Sequence, residues 1–437
     1  MSPSWIALVT GVGLLALMAV GFPVGFAMLS VALLSYLAFV GPQSLYNIAA
    51  LVFHTITIDI YIAIPLFIFM AAVLDAADFG KRLYDMMYKW MGGLRGGLAI
   101  GTVAMSTIIA ATTGLAATGT IITGLLSYPE MMKRGYDKRL AIGCIPAGGT
   151  LGPIIPPSIA MIMVGTLSGQ SVGKLFMAGF VPGLLMSILF MLYIAIRCYI
   201  KPNLGPPIPL AERATWKSKV ISLREAVIPL LLVFAVLGSI YFGVATPTEA
   251  SGIGAVGALV CLAVYRKFSL KNLWAAVIRT FKTSGMIMWL IIGASAFASM
   301  YGITGVTHAI ENLLLSLPFD RMGIFWAMAS LLFFLGMFIE MPAIIFICLP
   351  VMFPVAVKLG FDPLWFCFMF TVSCILGLIT PPFAMSLFIF KGLGHEGVTL
   401  IDLYLAIIPY VIIMAGVIVL CAIYPSLVVW LPNMMIK

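Results

Sequence analysis

The sequence predicts an all-α polytopic membrane protein with an inverted-topology repeat, in which two re-entrant hairpins and two discontinuous helices recur in the two halves. Three observations carry this. Of 437 residues, 63% are apolar and only 9% charged, whereas soluble domains are nearer half apolar and a quarter charged. Apolar segments of spanning length, about 20 residues, follow one another almost without interruption. The stretch "LGPIIPP" at Leu151–Pro157 returns as "LGLITPP" at Leu376–Pro382, 225 positions on. Transmembrane barrels show only weak alternation in short segments, so a helical bundle is expected.

The elements follow in order. Two spans cover about Trp5–Val20 and Phe22–Val40, joined across "GFPVG". The first lacks a basic start, so no cleavable signal peptide is expected. A shorter segment, Tyr46–Asp59, precedes a span over Ile60–Asp78 that ends at "GKRLYD". The next apolar piece is flanked by basic residues at both ends, Arg95 and Lys133 to Arg139. A single crossing would put one basic cluster outside, so a re-entrant hairpin with its tip at "ATTGLAAT" is predicted. Leu140–Gly165 crosses as a broken helix, and Leu175–Ile200 returns. The polar stretch 201–225 reads as a linker between halves. Ala226–Gly243, Gly252–Tyr265 and Ser284–Gly302 are further spans. A second hairpin, about Gly323–Val357, enters from the opposite side. Leu364–Phe390 is the second broken crossing and Ile401–Trp430 the last span.

Charge orients this arrangement. The net charge of +9 does not point to nucleic acid. Twenty of the 24 Lys and Arg residues fall on one side of the predicted topology, and only Lys174, Arg321, Lys358 and Lys437 on the other. That bias marks the basic side as cytoplasmic and places both termini on the opposite, periplasmic side. The seven cysteines lie in apolar segments without a CxxC pair, so they read as small packing residues.

The repeat extends beyond the proline motif. Between Pro129 and Pro157 the same shift pairs Pro129 with Pro354, Lys133 with Lys358, Gly135 with Gly360 and Asp137 with Asp362. With the five motif matches this makes nine identities, against about two expected by chance for so biased a composition. The hairpin tip "TGLAAT" falls on "FIEMPA", and by charge one hairpin opens inward and the other outward. Inverted repeats of this kind place substrate and coupling-ion sites near the midplane, at discontinuous helices.

The chemistry of a break explains why. Opened helix ends expose N–H groups that attract anions and carbonyls that attract cations. A proline pair has no N–H to donate and forces the preceding residue toward extended geometry, so it holds the break open. Unpaired backbone in hydrocarbon costs several kcal/mol per group, so something polar must fill the gap. From Leu140 to Gln170 there is no Lys, Arg, Asp or Glu. Helix ends, Thr150, Ser158, Thr380 and bound cations are therefore expected to hold an anion. Glu340, at the second hairpin tip, is either a functional carboxylate or a cap on the following helix. Asp59, Asp75 and Asp78 lie near span ends. His54, His308 and His395 are scattered, which argues against a metal site.

These motifs resemble those of the large, DctM-like membrane subunit of tripartite ATP-independent periplasmic (TRAP) transporters. The resemblance rests on "IPLFIFMA" (Ile64–Ala71), "LRGGLAI" (Leu94–Ile100), "PEMMKRGYD" (Pro129–Asp137) and "GTLGPIIPPS" (Gly149–Ser158). It continues in "GVATPTEASGIGAVGAL" (Gly243–Leu259), "GMFIEMPAIIFICLPVMFPVA" (Gly336–Ala356) and "GLITPPF" (Gly377–Phe383). It implies an elevator-type, sodium-coupled importer of a small organic anion. Expected partners are a small four-helix, DctQ-like membrane subunit, a DctP-like periplasmic binding protein that delivers the substrate, and phospholipid. The implied Na+ sites lie between each hairpin tip and the adjacent break. One takes Thr112, Thr113, Gly114 and Thr118 with Thr150 and Gly152. The other takes Glu340, Met341 and Ala343 with Gly377 and Thr380. Expected substrate contacts are Ala116, Ala117, Pro156, Pro157, Ser158, Pro381 and Pro382. No metal other than Na+ is implied. Many members carry "SGSS" where this chain has "TTGLAAT", and Asp where it has Glu340.

The resemblance implies a division into scaffold helices (1–79), a first transport repeat (80–174), scaffold helices with the linker (175–283), a second transport repeat (284–391) and a C-terminal scaffold helix (392–437). A stand-alone divalent-anion/sodium symporter is the alternative. A membrane-embedded enzyme is disfavoured because clustered acids and histidines are lacking. ATP-driven transport is disfavoured because no GxxxxGK[ST] is present.

Overall fold

The computed structural model describes residues 2–435; Lys437, counted above on the minority side, lies outside them. The chain is all-helical. α1 (Pro3–Ala19), α2 (Val24–Ser35), α3 (Leu45–Ile56) and α4 (Ala63–Ala76) open it. α5 (Phe79–Met91) leads to a hairpin of α6 (Gly97–Thr113) and α7 (Ala116–Lys133). α8 (Lys138–Gly149) and α9 (Ile159–Ser168) are the halves of the first broken helix, and α10 (Val172–Ile200) follows. The second half begins with α11 (Trp216–Tyr241), α12 (Pro247–Val264), α13 (Leu270–Ile303) and α14 (Val306–Leu315). Its hairpin is α15 (Arg321–Gly336) and α16 (Met341–Lys358). Its broken helix is α17 (Pro363–Leu378) and α18 (Met385–Gly392), followed by α19 (Leu400–Ile423) and α20 (Ser426–Asn433).

Advancing the first half by 225 lays α7 on α16 end to end, and starts α8 where α17 starts. α9 falls within a residue of α18, while α5 falls on α14 and α10 on α19. Local chemistry sets these ends. Asp137 and Asp362, equivalent in the repeat, each N-cap the helix after a hairpin, accepting N–H bonds from Leu140 (2.9 Å) and Trp365 (2.8 Å). Thr246 with Glu249 and Thr399 with Asp402 form full capping boxes.

Four features differ from expectation. α5 and α14 are amphipathic helices in stretches with too little apolar length to be read as spans. α13 begins at Leu270 rather than Ser284, because Ser269 caps it by accepting from Asn272 N (3.1 Å) and the polar turn through Arg279 and Lys282 stays helical. The last span is two helices, since Pro425 cannot continue α19 and Tyr424 leaves helical geometry (φ −118°, ψ 76°). Among the described residues, seven helical segments are long and apolar enough to cross a bilayer.

Packing separates two groups. α2 packs on α13, α4 on α12 and α13, and α11 on α12. The hairpins pack on the broken helices: α6 and α7 on α8, α15 and α16 on α17. α10 and α19 join this second group, contacting each other and α8 and α17. α8 from Leu140 to Gly149 and α17 from Leu364 to Leu378 are buried all round, the pattern of helices enclosed by protein.

Candidate functional site

Each hairpin tip is a tight reversal built from local sequence. Thr113 ends α6 and Gly114 takes the left-handed conformation (φ +63°), which glycine adopts without cost. Leu115 is extended and starts α7. In the second hairpin, Glu340 is extended at the N-cap of α16, with Pro342 in the first turn.

The first tip is seated in the first break. A Cβ on Gly114 would lie 2.5 Å from Pro157 O, and one on Gly152 would lie 2.8 Å from Leu115 C and 2.9 Å from its O. Only glycine permits this backbone-to-backbone approach. Behind the break, a Cβ on Gly179 of α10 would lie 2.2 Å from Ile154 O, so α10 closes the far side just as tightly. The break from Leu151 to Ser158 is buried throughout. Ser158 donates to Pro153 O (2.7 Å) and caps α9 through Met161 N (3.3 Å).

The second break is seated differently. Gly377 meets Gly336, not the tip: a Cβ there would lie 2.5 Å from Phe333 O and 2.6 Å from Gly336 Cα. The tip reaches the break through Phe338, whose ring centroid lies 5.4 Å from that of Phe383. Pro382 and Phe383 are exposed, and Tyr404 of α19 donates to Pro382 O (2.6 Å). Tyr404 occupies the repeat position of Gly179. A large phenol where the other half has no side chain holds α19 off the break, and the second break stays open. Both Pro–Pro bonds, Pro156–Pro157 and Pro381–Pro382, are cis.

One cavity of about 350 Å³ joins the two halves. The tips supply Gly114–Thr118 and Glu340–Pro342; α9 and α18 supply residues including Ala160 and Ser386. The opposite wall is α4 and α13, with Arg279 and Thr283. The volume is at the low end for ligand pockets, which suits a small molecule.

The structure brings together Gly114, Ala116, Ala117, Thr118, Glu340 and Met341 on this cavity. Thr112, Thr113, Thr150 and Gly152 lie buried behind the first tip, and Ala343 and Gly377 behind the second. Thr380, Pro156, Pro157, Ser158, Pro381 and Pro382 do not line the cavity; Pro153 does. Four of the threonine hydroxyls share one arrangement. Thr112 and Thr113 donate to Ile109 O, Thr150 to Ala147 O and Thr380 to Leu376 O, at 2.7–3.0 Å. Each hydroxyl hydrogen is thereby turned into its own helix, leaving oxygen lone pairs facing outward. Ser106 and Thr120, which face Gly148 and Gly149 across the hairpin seam, are buried hydroxyls without a hydrogen-bond partner among the described residues. An oxygen-rich seam of this kind fits a hard monovalent cation.

Glu340 sits at the N-cap position, yet its carboxylate makes no capping bond and lines the cavity. The capping alternative is therefore not what the side chain does. Arg279 is the residue that sequence reasoning missed. It lies five residues before Ser284, where the sequence reading begins this span, and only packing brings it to the cavity, where it pairs with Asp75 of α4.

The family described as tripartite ATP-independent periplasmic transporter, DctM component, matches residues 12–427. The C4-dicarboxylate TRAP transporter large permease protein DctM of Pseudomonas aeruginosa is 32% identical over 90% of both chains. The 2,3-diketo-L-gulonate TRAP transporter large permease protein YiaN of Escherichia coli is 30% identical, over 84% of this chain and 85% of its own. The isethionate TRAP transporter permease protein DctMQ of Oleidesulfovibrio alaskensis is 30% identical over 94% of this chain and 64% of its own length. Among solved structures, the Alcanivorax borkumensis YdaH transporter superposes with a TM-score of 0.66 at 15% identity, covering 90% of each chain. At that identity the likeness concerns the fold alone.

Proposed function

The chain belongs to the DctM component family of tripartite ATP-independent periplasmic transporters, and from that premise we propose that it is the large permease of a sodium-coupled importer for a small organic anion in a bacterial inner membrane. The observation that carries the reading is the convergence of both hairpin tips and both second half-helices on one small cavity, walled on its other side by α4 and α13. A carrier must bind at an interface between two bodies that can move past each other. Here the hairpins, the broken helices, α10 and α19 form the moving body, and α1–α4 with α11–α13 form the frame, in an elevator mechanism; this moves α10 and α19 out of the scaffold, where the sequence division (175–283 and 392–437) puts them, because both pack on α8 and α17. Relatives named for C4-dicarboxylate, isethionate and 2,3-diketo-L-gulonate support an acidic substrate.

Arg279 offers the cavity its cationic side chain, and Asp75 keeps it compensated between substrates. With the basic side cytoplasmic and both termini periplasmic, Arg279 in the first third of α13 would lie toward the cytoplasmic side of the cavity. Na+ bound at the seams between tips and breaks would be coordinated by the oxygen lone pairs gathered there, and the seated tips would then close over the anion. Glu340 adds a negative charge that favours a cation beside the second tip. A four-helix DctQ-like subunit stiffens the frame, and a DctP-like binding protein delivers the substrate. The test is uptake into proteoliposomes holding this chain and the small subunit, with the binding protein outside. Uptake that requires an inward sodium gradient and the binding protein supports the reading. Full uptake without sodium overturns the coupling, and full uptake without the binding protein favours a stand-alone symporter.

A further inference from the structure

We propose that a second cavity, away from the transport pathway, binds the headgroup of an anionic phospholipid. It lies where the start of α8, the end of α10 and the start of α19 meet, encloses about 250 Å³, and is walled by Arg139, Arg197, Tyr193, Leu405, Pro409 and Tyr410. It shares no residue with the transport cavity, and it goes beyond the transport reading without resting on it.

Two guanidinium groups here lack an ion-pair partner among the described residues, and together they outweigh the single carboxylate in the wall. Among the described residues neither Arg139 nor Arg197 has a carboxylate within ion-pair distance, although nearby Lys138 pairs with Asp402 (2.5 Å) and Arg134 with Glu212 (2.6 Å). The one acid in the wall, Asp137, makes no ion pair with either arginine among the described residues and caps α8 by accepting from Leu140 N. Arg197 is held over the Tyr193 ring, 5.7 Å from its centroid, a contact that positions the guanidinium without cancelling its charge. Tyr410, only 1% exposed, carries a hydroxyl with no hydrogen-bond partner, and an oxygen acceptor at this cavity would supply what it lacks. Together these groups ask for a phosphate-like anion.

The surroundings select a lipid rather than a free ion. Leu192 and Ile196 on α10, each adjacent in sequence to a cavity residue, are exposed, and so are Leu405, Ile408 and Ile412 on α19. The two helices pack on each other, so two apolar stripes run away from the arginines along the outer surface. Acyl chains would cover those stripes while the headgroup fills the cavity, the arrangement of basic pockets between membrane helices.

The experiment is native mass spectrometry of the full chain with its small subunit, in mixed micelles holding equal amounts of phosphatidylglycerol and phosphatidylcholine. The wild type is expected to retain phosphatidylglycerol after delipidation. Arg139→Gln with Arg197→Gln should lower that retention roughly tenfold or more. Tyr410→Phe should lower it less, and Arg197→Lys least. The charge-matched control Lys81→Gln with Lys271→Gln, two exposed lysines remote from the cavity, should leave it unchanged. Equal retention by the wild type and the Arg139/Arg197 double variant overturns the site. If that variant does not fold, equal phosphatidylglycerol and phosphatidylcholine retention by the wild type does the same. Displacement of the lipid by millimolar inorganic phosphate overturns the lipid in favour of a small soluble anion.

Discussion

A single methyl group at Gly152 tests the seat between the first hairpin tip and its break. In Gly152→Ala the added Cβ would stand 2.8 Å from Leu115 C, 2.9 Å from Leu115 O and 3.1 Å from Ala116 N, all main-chain atoms that cannot rotate away. The tip must back off by several tenths of an ångström. Overpacking of this kind costs about 1–3 kcal/mol, which is roughly a fivefold to hundredfold loss in the population of the seated tip. If cation binding needs that seat, the sodium concentration for half-maximal uptake rises by a similar factor, while insertion and expression persist. Gly238→Ala is the matched control. Its Cβ meets nothing within 4 Å among the described residues, in the last turn of α11, so the change should be neutral or stabilising by up to about 1 kcal/mol. Sodium-jump uptake in proteoliposomes and thermal unfolding of the purified protein read the two effects. Wild-type sodium dependence in Gly152→Ala would refute the seat as part of the ion site.

Glu340→Gln removes the cavity's one tip carboxylate while keeping its shape, and should raise the sodium requirement about tenfold, with Glu340→Asp in between; isothermal sodium titration measures it. Arg279→Gln should slow uptake of an acidic substrate at least about tenfold, whereas Asp75→Asn frees Arg279 and should tighten inhibition by substrate on the inner face. If the two residues were only a structural pair, both changes would act in the same direction. Gly179→Ala puts a Cβ 2.2 Å from Ile154 O and should cost about 1–3 kcal/mol of stability, read as a lower melting temperature. Glu311 is buried on α14, and hydrogen bonding from Lys358 at the base of the second hairpin holds its carboxyl below the ordinary value of 4.5. A lowered value in the folded state means that this stability is present above about pH 4.5 and lost as pH falls through the lowered value. The melting-temperature gap between the wild type and Glu311→Gln should therefore be constant from pH 6 to 8 and close only in acid.

The doubled "LG…PP" motif located both breaks, because proline acts on its own neighbours and needs no distant partner. Basic flanks located the first hairpin, the 225-residue shift and a scarcity of basic flanks located the second, and Gly114 marked the first tip. Elements that local signals described poorly were missed. α5 and α14 are too short and polar to announce a span, and the polar first turns of α13 looked like a loop until Ser269 capped them. Glu340 could be placed at a hairpin tip but not assigned, since whether its carboxylate caps α16 or enters a cavity depends on what α4 and α13 leave free.

By itself the sequence determined the class of protein, the repeat and the positions where helices stop. These follow from composition, charge and main-chain chemistry, all of which act over a few residues. Tertiary structure decided what the breaks face. The same motif is sealed in the first half, where α10 offers Gly179, and open in the second, where α19 offers Tyr404. It also brought Arg279 to a cavity shared with a tip more than sixty residues away. Such meetings depend on how whole helices pack, and no local pattern records them.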